Sequence, residues 1–218
     1  MSSAVTERRP AGIWRRAGSL AKRVLLLELY IYASIGRFLA RRPAIPRGAV
    51  GFGYHKPVFT LLIVFIVLSA VEIPIIDLIA QRWPVVRITL LVLGIWGVTW
   101  MFGLLCAFLM RPHTVGADGI RVRGGLELDL ALSWDDIASV AHAVRVDEPK
   151  APKFEETPAG RMLLLRVGNE TNIEIELEEP TVLRLPGGGA KGGAQTVRLV
   201  RLWADDPRAF LAEVKKHL

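Results

Sequence analysis

Asp77 and Arg87 are the residues of this sequence whose types and spacing define the clearest chemical task. Each interrupts a long apolar run, where a charge is costly without a partner. Only Gln81-Arg82-Trp83-Pro84 separates the two runs, and Asp77 and Arg87 lie at similar distances from that turn. In an antiparallel helix pair they stand level. The spacing therefore predicts a local ion pair in the membrane rather than a proton or ion path. Glu72 and Pro74 fall near the same end of the first run.

Other groups with reactive chemistry are poorly arranged for it. Cys106 is the single cysteine and sits in an apolar run, so it reads as a small buried side chain. His55, His113, His142 and His217 show no metal-ligand spacing. Ser133, Asp135 and His142 supply triad residue types without a nucleophile motif around the serine. Glu155-Glu156 and Glu178-Glu179 are adjacent carboxylates, but neighbours on a strand point to opposite faces. In the Gly-rich stretch 187–193, Lys191 is followed by Gly192, where a phosphate loop needs Ser or Thr. No catalytic residue, cofactor site or metal ligand is nominated, and the chain is expected not to be an enzyme.

Charge is distributed as a gradient. The net charge of +7 divides into +9 over residues 1–56, zero over 57–110 and −2 over 111–218. Positive charge concentrated beside apolar spans points to an anionic cytoplasmic leaflet. Nucleic acid is not expected as a partner, because no recognition module accompanies the arginines.

The elements that position these groups follow from periodicity. Residues 1–12 are expected to be disordered. From Ile13 to about residue 42 the pattern is helical. Arg15, Arg16, Lys22, Arg23, Arg37 and Arg41 fall on one arc, opposite Ile13, Leu20, Val24, Ile31, Ile35 and Phe38. This predicts a cationic amphipathic helix lying on anionic lipid. The rival arrangements are a third span over Val24–Ala40, which is short and carries Glu28 and Arg37, and an amphipathic helix that packs on protein instead. Residues 43–56 read as a connector, broken by Pro43 and Pro46 and loosened by glycines. Residues 57–110 form a transmembrane helical hairpin, each run being long enough to cross.

After His113 the period changes to two. Leu126, Leu128, Leu130, Leu132 and Trp134 alternate with polar or small residues, as do Ile173, Ile175 and Leu177 with glutamates. Trp134 is expected in the domain core. Residues 147–160 and 187–193 read as loops. Asp206 and Pro207 start a terminal helix. About seven strands and this helix make a mainly-β domain over residues 111–218.

The segment Thr114–Val140, TVGADGIRVRGGLELDLALSWDDIASV, resembles the opening of bacterial PH-like (pleckstrin-homology-like) domains, which often follow membrane spans. The shared pattern is a D-G-hydrophobic-x-V-R strand, then a strand leading into W-D-D-I-x-x-V. The resemblance implies two packed antiparallel sheets with a C-terminal capping helix, and a role in binding rather than catalysis. Arg121 and Arg123 are accompanied by Asp118, Glu127 and Asp129, so no basic cluster for inositol phosphates emerges. The expectation is a multi-pass protein of the plasma (inner) membrane with both termini cytoplasmic. Its PH-like domain would bind another membrane protein or a second copy, as a homo-oligomer. The alternative is an accessory subunit held through its hairpin, where Gly94, Gly97 and Gly103 with Ala107 permit close helix packing.

Overall fold

The structure is a computed structural model and describes residues 11–125, 128–146, 154–158, 160–185 and 193–218. Residues 1–10, most of the stretch expected to be disordered, lie outside the described residues, as do Leu126 and Glu127 of the alternating run, and residues 147–153, 159 and 187–192 of the two expected loops.

The connector is not loose throughout. Val50–Phe52 forms strand β1, which pairs antiparallel with β2 (His113–Gly116) in the register Val50↔Val115 and Phe52↔His113. Between these paired strands the chain makes the helices α2 (Lys56–Ile79) and α3 (Pro84–Met110). Both are long and apolar enough to cross a membrane. A helical hairpin thus replaces the turn of a β-hairpin. The β domain therefore starts before the hairpin and not at residue 111. Three residues between glycines carry no alternation from which a strand could be read.

β2 continues through a turn at Gly119 into β3 (Gly119–Gly124) and β4 (Leu128–Leu132), giving a four-stranded antiparallel sheet in the order β1-β2-β3-β4. Gly119 has φ +133°, and a Cβ there would sit 2.0 Å from the Leu132 carbonyl oxygen, so only glycine fits. A 3-10 turn, Trp134–Asp136, leads to the second sheet. Its strands are β5 (Ile137–Arg145), β6 (Phe154–Thr157), β7 (Gly160–Leu165), β8 (Thr171–Leu185) and β9 (Gly193–Leu202), in the order β5-β8-β9-β7-β6.

Two details differ from the expected pair of antiparallel sheets. β7 and β9 are parallel, because β9 folds back on β8 and inserts between β8 and β7. β6 lies within the stretch expected to be loop, and its Phe154 enters the core. β8 also runs unbroken past Pro180, absorbing it with a register shift between Glu176 and Thr181.

One core joins the sheets. Val115, Ile120, Val122, Leu130 and Leu132 from the first meet Ile173, Ile175, Leu177, Val200 and Leu202 from the second. Helix α4 (Pro207–Val214) closes it with Phe210 and Val214, and Asp206 caps the helix by accepting from the Ala209 N–H at 3.0 Å. Trp134 packs at the rim, half-buried. Its Nε1–H donates to the Gly116 carbonyl at 3.0 Å and its ring stacks on His217.

Helix α1 (Ala11–Leu39) starts two residues before the predicted helix and packs on α3 near the β domain. Leu27, Ile31, Ile35 and Phe38 meet Trp100, Phe102, Leu104 and Ala107. Gly103 makes this possible, since a Cβ there would lie 2.4 Å from Ile31 Cγ2. Gly103→Val is therefore expected to weaken docking of α1 by about 1–3 kcal/mol. Trypsin cleavage at Arg37 in mild detergent should accelerate, and an unchanged rate would mean that α1 adjusts without leaving α3.

Candidate functional site

The densest polar chemistry among the described residues lies where the hairpin joins the β domain. The first turn of α2 leaves backbone N–H groups without intrahelical partners, and His55 offers no side-chain cap. Asp205, in the loop after β9, supplies it from across the chain. Its carboxylate accepts from the backbone N–H groups of His55 and Lys56, both at 3.0 Å, and from Trp203 Nε1 at 3.1 Å. Its own N–H donates to the Gly53 carbonyl at 2.8 Å. The first helix of the hairpin is thereby fastened to the last strand of the domain.

His113, the first residue of β2, is 2% exposed. Its Nδ1 accepts from the Arg123 backbone N–H at 3.0 Å, so the neutral ring carries its proton on Nε2 and donates to the Trp203 carbonyl at 3.1 Å. Both nitrogens are committed. Burial lowers its pKa to about 4, while the Trp203 carbonyl and Asp205 oppose the shift. Tyr54 lies over this imidazole at 4.5 Å between ring centres and meets Phe108 edge-on. Burial raises the Tyr54 hydroxyl to about 12, with Arg111 the largest opposing influence.

Arg123 is 5% exposed. Its Nη1 donates to the carbonyls of Ala44 and Pro112, tying the connector to the end of the hairpin. Burial lowers its pKa, against the pull of Asp129. Asp129 itself faces three guanidinium groups. Arg121 grips it in two hydrogen bonds at 2.5 and 3.1 Å, Arg123 lies at 3.6 Å and Arg111 at 3.7 Å. The Asp129 carboxylate raises the pKa of Arg121.

Asp77 and Arg87 meet at the far end of the hairpin, in two hydrogen bonds at 2.6 and 2.8 Å. Of the basic arc, Lys22, Arg37 and Arg41 are exposed, while the side chains of Arg15, Arg16 and Arg23 lie outside the described residues. Gly94 packs beneath Ile73 of α2, and Gly103 and Ala107 against Ile31 of α1, so three of the four small residues expected to meet a partner serve packing within the chain. Ser133, Asp135 and His142 make no hydrogen bond with one another.

Sequence reasoning missed Asp205, Tyr54, His113 and Arg123. A helix start at His55-Lys56-Pro57 with no capping side chain was the one available signal that a distant acceptor is needed. The chain matches no family model, no curated protein and no solved structure.

Proposed function

We propose that this chain is a non-enzymatic integral membrane protein whose PH-like domain, held at the cytoplasmic face, binds a protein partner or a second copy of itself. The observation that carries the binding role is the free edge of β5. No described strand pairs with its outer side. Over Ile137–Arg145 the arginine is the only permanently charged residue, and Val144 and Val146 are exposed. Bulges bound the flat stretch Ser139–His142. Soluble proteins usually guard such an edge with charge, whereas peptide-binding sheets leave it open for an added strand.

The membrane setting rests on separate grounds. The +9 charge precedes the hairpin, and both hairpin ends are held in one β-ribbon, so they share a side of the bilayer. Helix α1 leaves Val24, Leu25, Leu29 and Leu39 exposed around its packed face, as a helix bedded in the interface would. The pattern Thr114–Val140, two sheets and a closing helix support the PH-like reading.

The test is Ala141→Lys with Ala143→Lys. Ala141 pairs with Glu174, which faces Arg201 away from the core, so a lysine there is compatible with the fold. In mild detergent the wild-type chain is expected to run as a homo-oligomer or with a stoichiometric protein partner, and the double variant alone at an unchanged melting temperature. A wild-type monomer without a partner, or a double variant that assembles equally, overturns the reading.

A further inference from the structure

A cavity of about 350 Å³ opens between the base of the hairpin and the β domain, with Tyr54, Val58, Phe108, Arg123, Leu128 and Leu165 in its wall. Two polar atoms in that wall lack what burial requires. The hydroxyl of Tyr54, a residue 1% exposed, has the Gly125 backbone N–H beside it but no acceptor for its own proton. Arg123 Nε is ion-paired with Asp129 Oδ1 at 3.6 Å but makes no hydrogen bond. Buried donors without a hydrogen-bond acceptor are costly, and two at one cavity mark a place for a ligand.

The character of these atoms defines the ligand. Arg123 Nε is a donor only, and the protonated Tyr54 hydroxyl can donate beside it. Among the described residues Arg121 and Arg123 share the single carboxylate of Asp129, and His113 is neutral, so the site favours an anion. The rest of the wall is largely apolar. Val58 comes from the first turn of α2 and Phe108 from the last turn of α3, the level at which hydrocarbon gives way to headgroups. At about 30 Å³ per heavy atom, the share of one water in the liquid, the volume holds roughly a dozen atoms, enough for a phosphate and its glycerol.

We propose that this cavity binds the phosphate of a membrane phospholipid, with Tyr54 Oη and Arg123 Nε donating to its oxygens and the start of an acyl chain lying against Val58 and Phe108. The site is separate from the β5 edge and independent of what binds there. It requires only that the hairpin lies in a bilayer.

The full chain in detergent, analysed by native mass spectrometry with added lipid, provides the test. Wild type is expected to retain one phosphatidylglycerol per chain. Tyr54→Phe removes one donor, keeps the ring against His113 and Phe108, and should weaken retention about tenfold, the usual effect of losing a hydrogen bond to a charged group. Val58→Trp, which fills the cavity from the hairpin side, should abolish retention with both donors intact. Diacylglycerol, which lacks the phosphate, should not be retained. Lipid bound loosely around the helices would be retained equally by wild type and Tyr54→Phe, and that result overturns the proposal. So does equal retention of diacylglycerol. Displacement of the lipid by millimolar inorganic phosphate would assign the site to a soluble phosphate instead.

Discussion

Replacing residues 57–110 with a short Gly/Ser linker, in a protein starting at residue 43, is expected to give a soluble, cooperatively folding domain, whereas residues 112–218 alone should be severely destabilised. Phe52 and His113 are partners in an antiparallel ladder, and such partners stand about 5 Å apart. The cut ends therefore lie close enough for a short turn. What residues 112–218 lose is β1 itself. Phe52 is buried in the common core, edge-on to Phe210 at 5.1 Å. Removing such a side chain costs about 3–5 kcal/mol, out of about 5–15 kcal/mol for a typical domain. Leaving out residues 43–49 also removes the Ala44 carbonyl, one acceptor of the buried Arg123 guanidinium. Phe52→Ala in the linked domain separates the contributions and should account for most of the loss. Equal melting temperatures for the two proteins would mean that β1 is an ornament of the sheet rather than part of it.

What the sequence reveals depends on how far apart the interacting residues lie. The two apolar runs announce themselves by length, and the Asp77–Arg87 pairing follows because a tight turn fixes which residues stand level. Alternation exposes β3, β4 and most of β8, since one face of each meets the common core. Period two says nothing about which strand lies next to which, so the insertion of β9 beside β7 is invisible. Nor does it find β1, three residues long. The junction is hidden for the same reason. Asp205 acts on His55 and Lys56 from about 150 residues away. Beside Asp206, which caps its own helix locally, nothing in its immediate neighbours sets it apart. His113 looks like one of four scattered histidines until the fold brings Arg123 and Trp203 to its two nitrogens. Trp134 reads as a core residue because it ends an alternating run, yet it falls in the 3-10 turn after β4, which swings its ring to the rim beside His217.

The same junction is expected to make the fold sensitive to mild acid. The unfolded chain binds a proton at His113 near the ordinary imidazole pKa of 6.5, and the folded chain does so only near 4. Between these values the unfolded state holds the extra proton, so stability rises with pH across the window and is lost as pH falls through it. The separation of the two values caps this contribution at about 3 kcal/mol, fully present above pH 6.5 and gone below pH 4. The structural cost is concrete. A second proton would land on Nδ1, which already accepts from the Arg123 N–H, turning an acceptor into a second donor beside a buried guanidinium. Chemical unfolding of the full chain in detergent between pH 7 and pH 4 measures the slope, and His113→Asn isolates its source. Asparagine can still accept from Arg123 but cannot titrate. The variant should start about 1–3 kcal/mol less stable, for want of the Trp203 hydrogen bond and the stacking on Tyr54. It should also lose less stability on acidification, so that the two curves converge towards pH 4. Carboxylates that protonate at low pH act on both proteins alike and cancel in the difference. Parallel curves across the window would show that His113 takes up its proton in the folded chain as readily as in the unfolded one, and that its two hydrogen bonds do not hold it neutral.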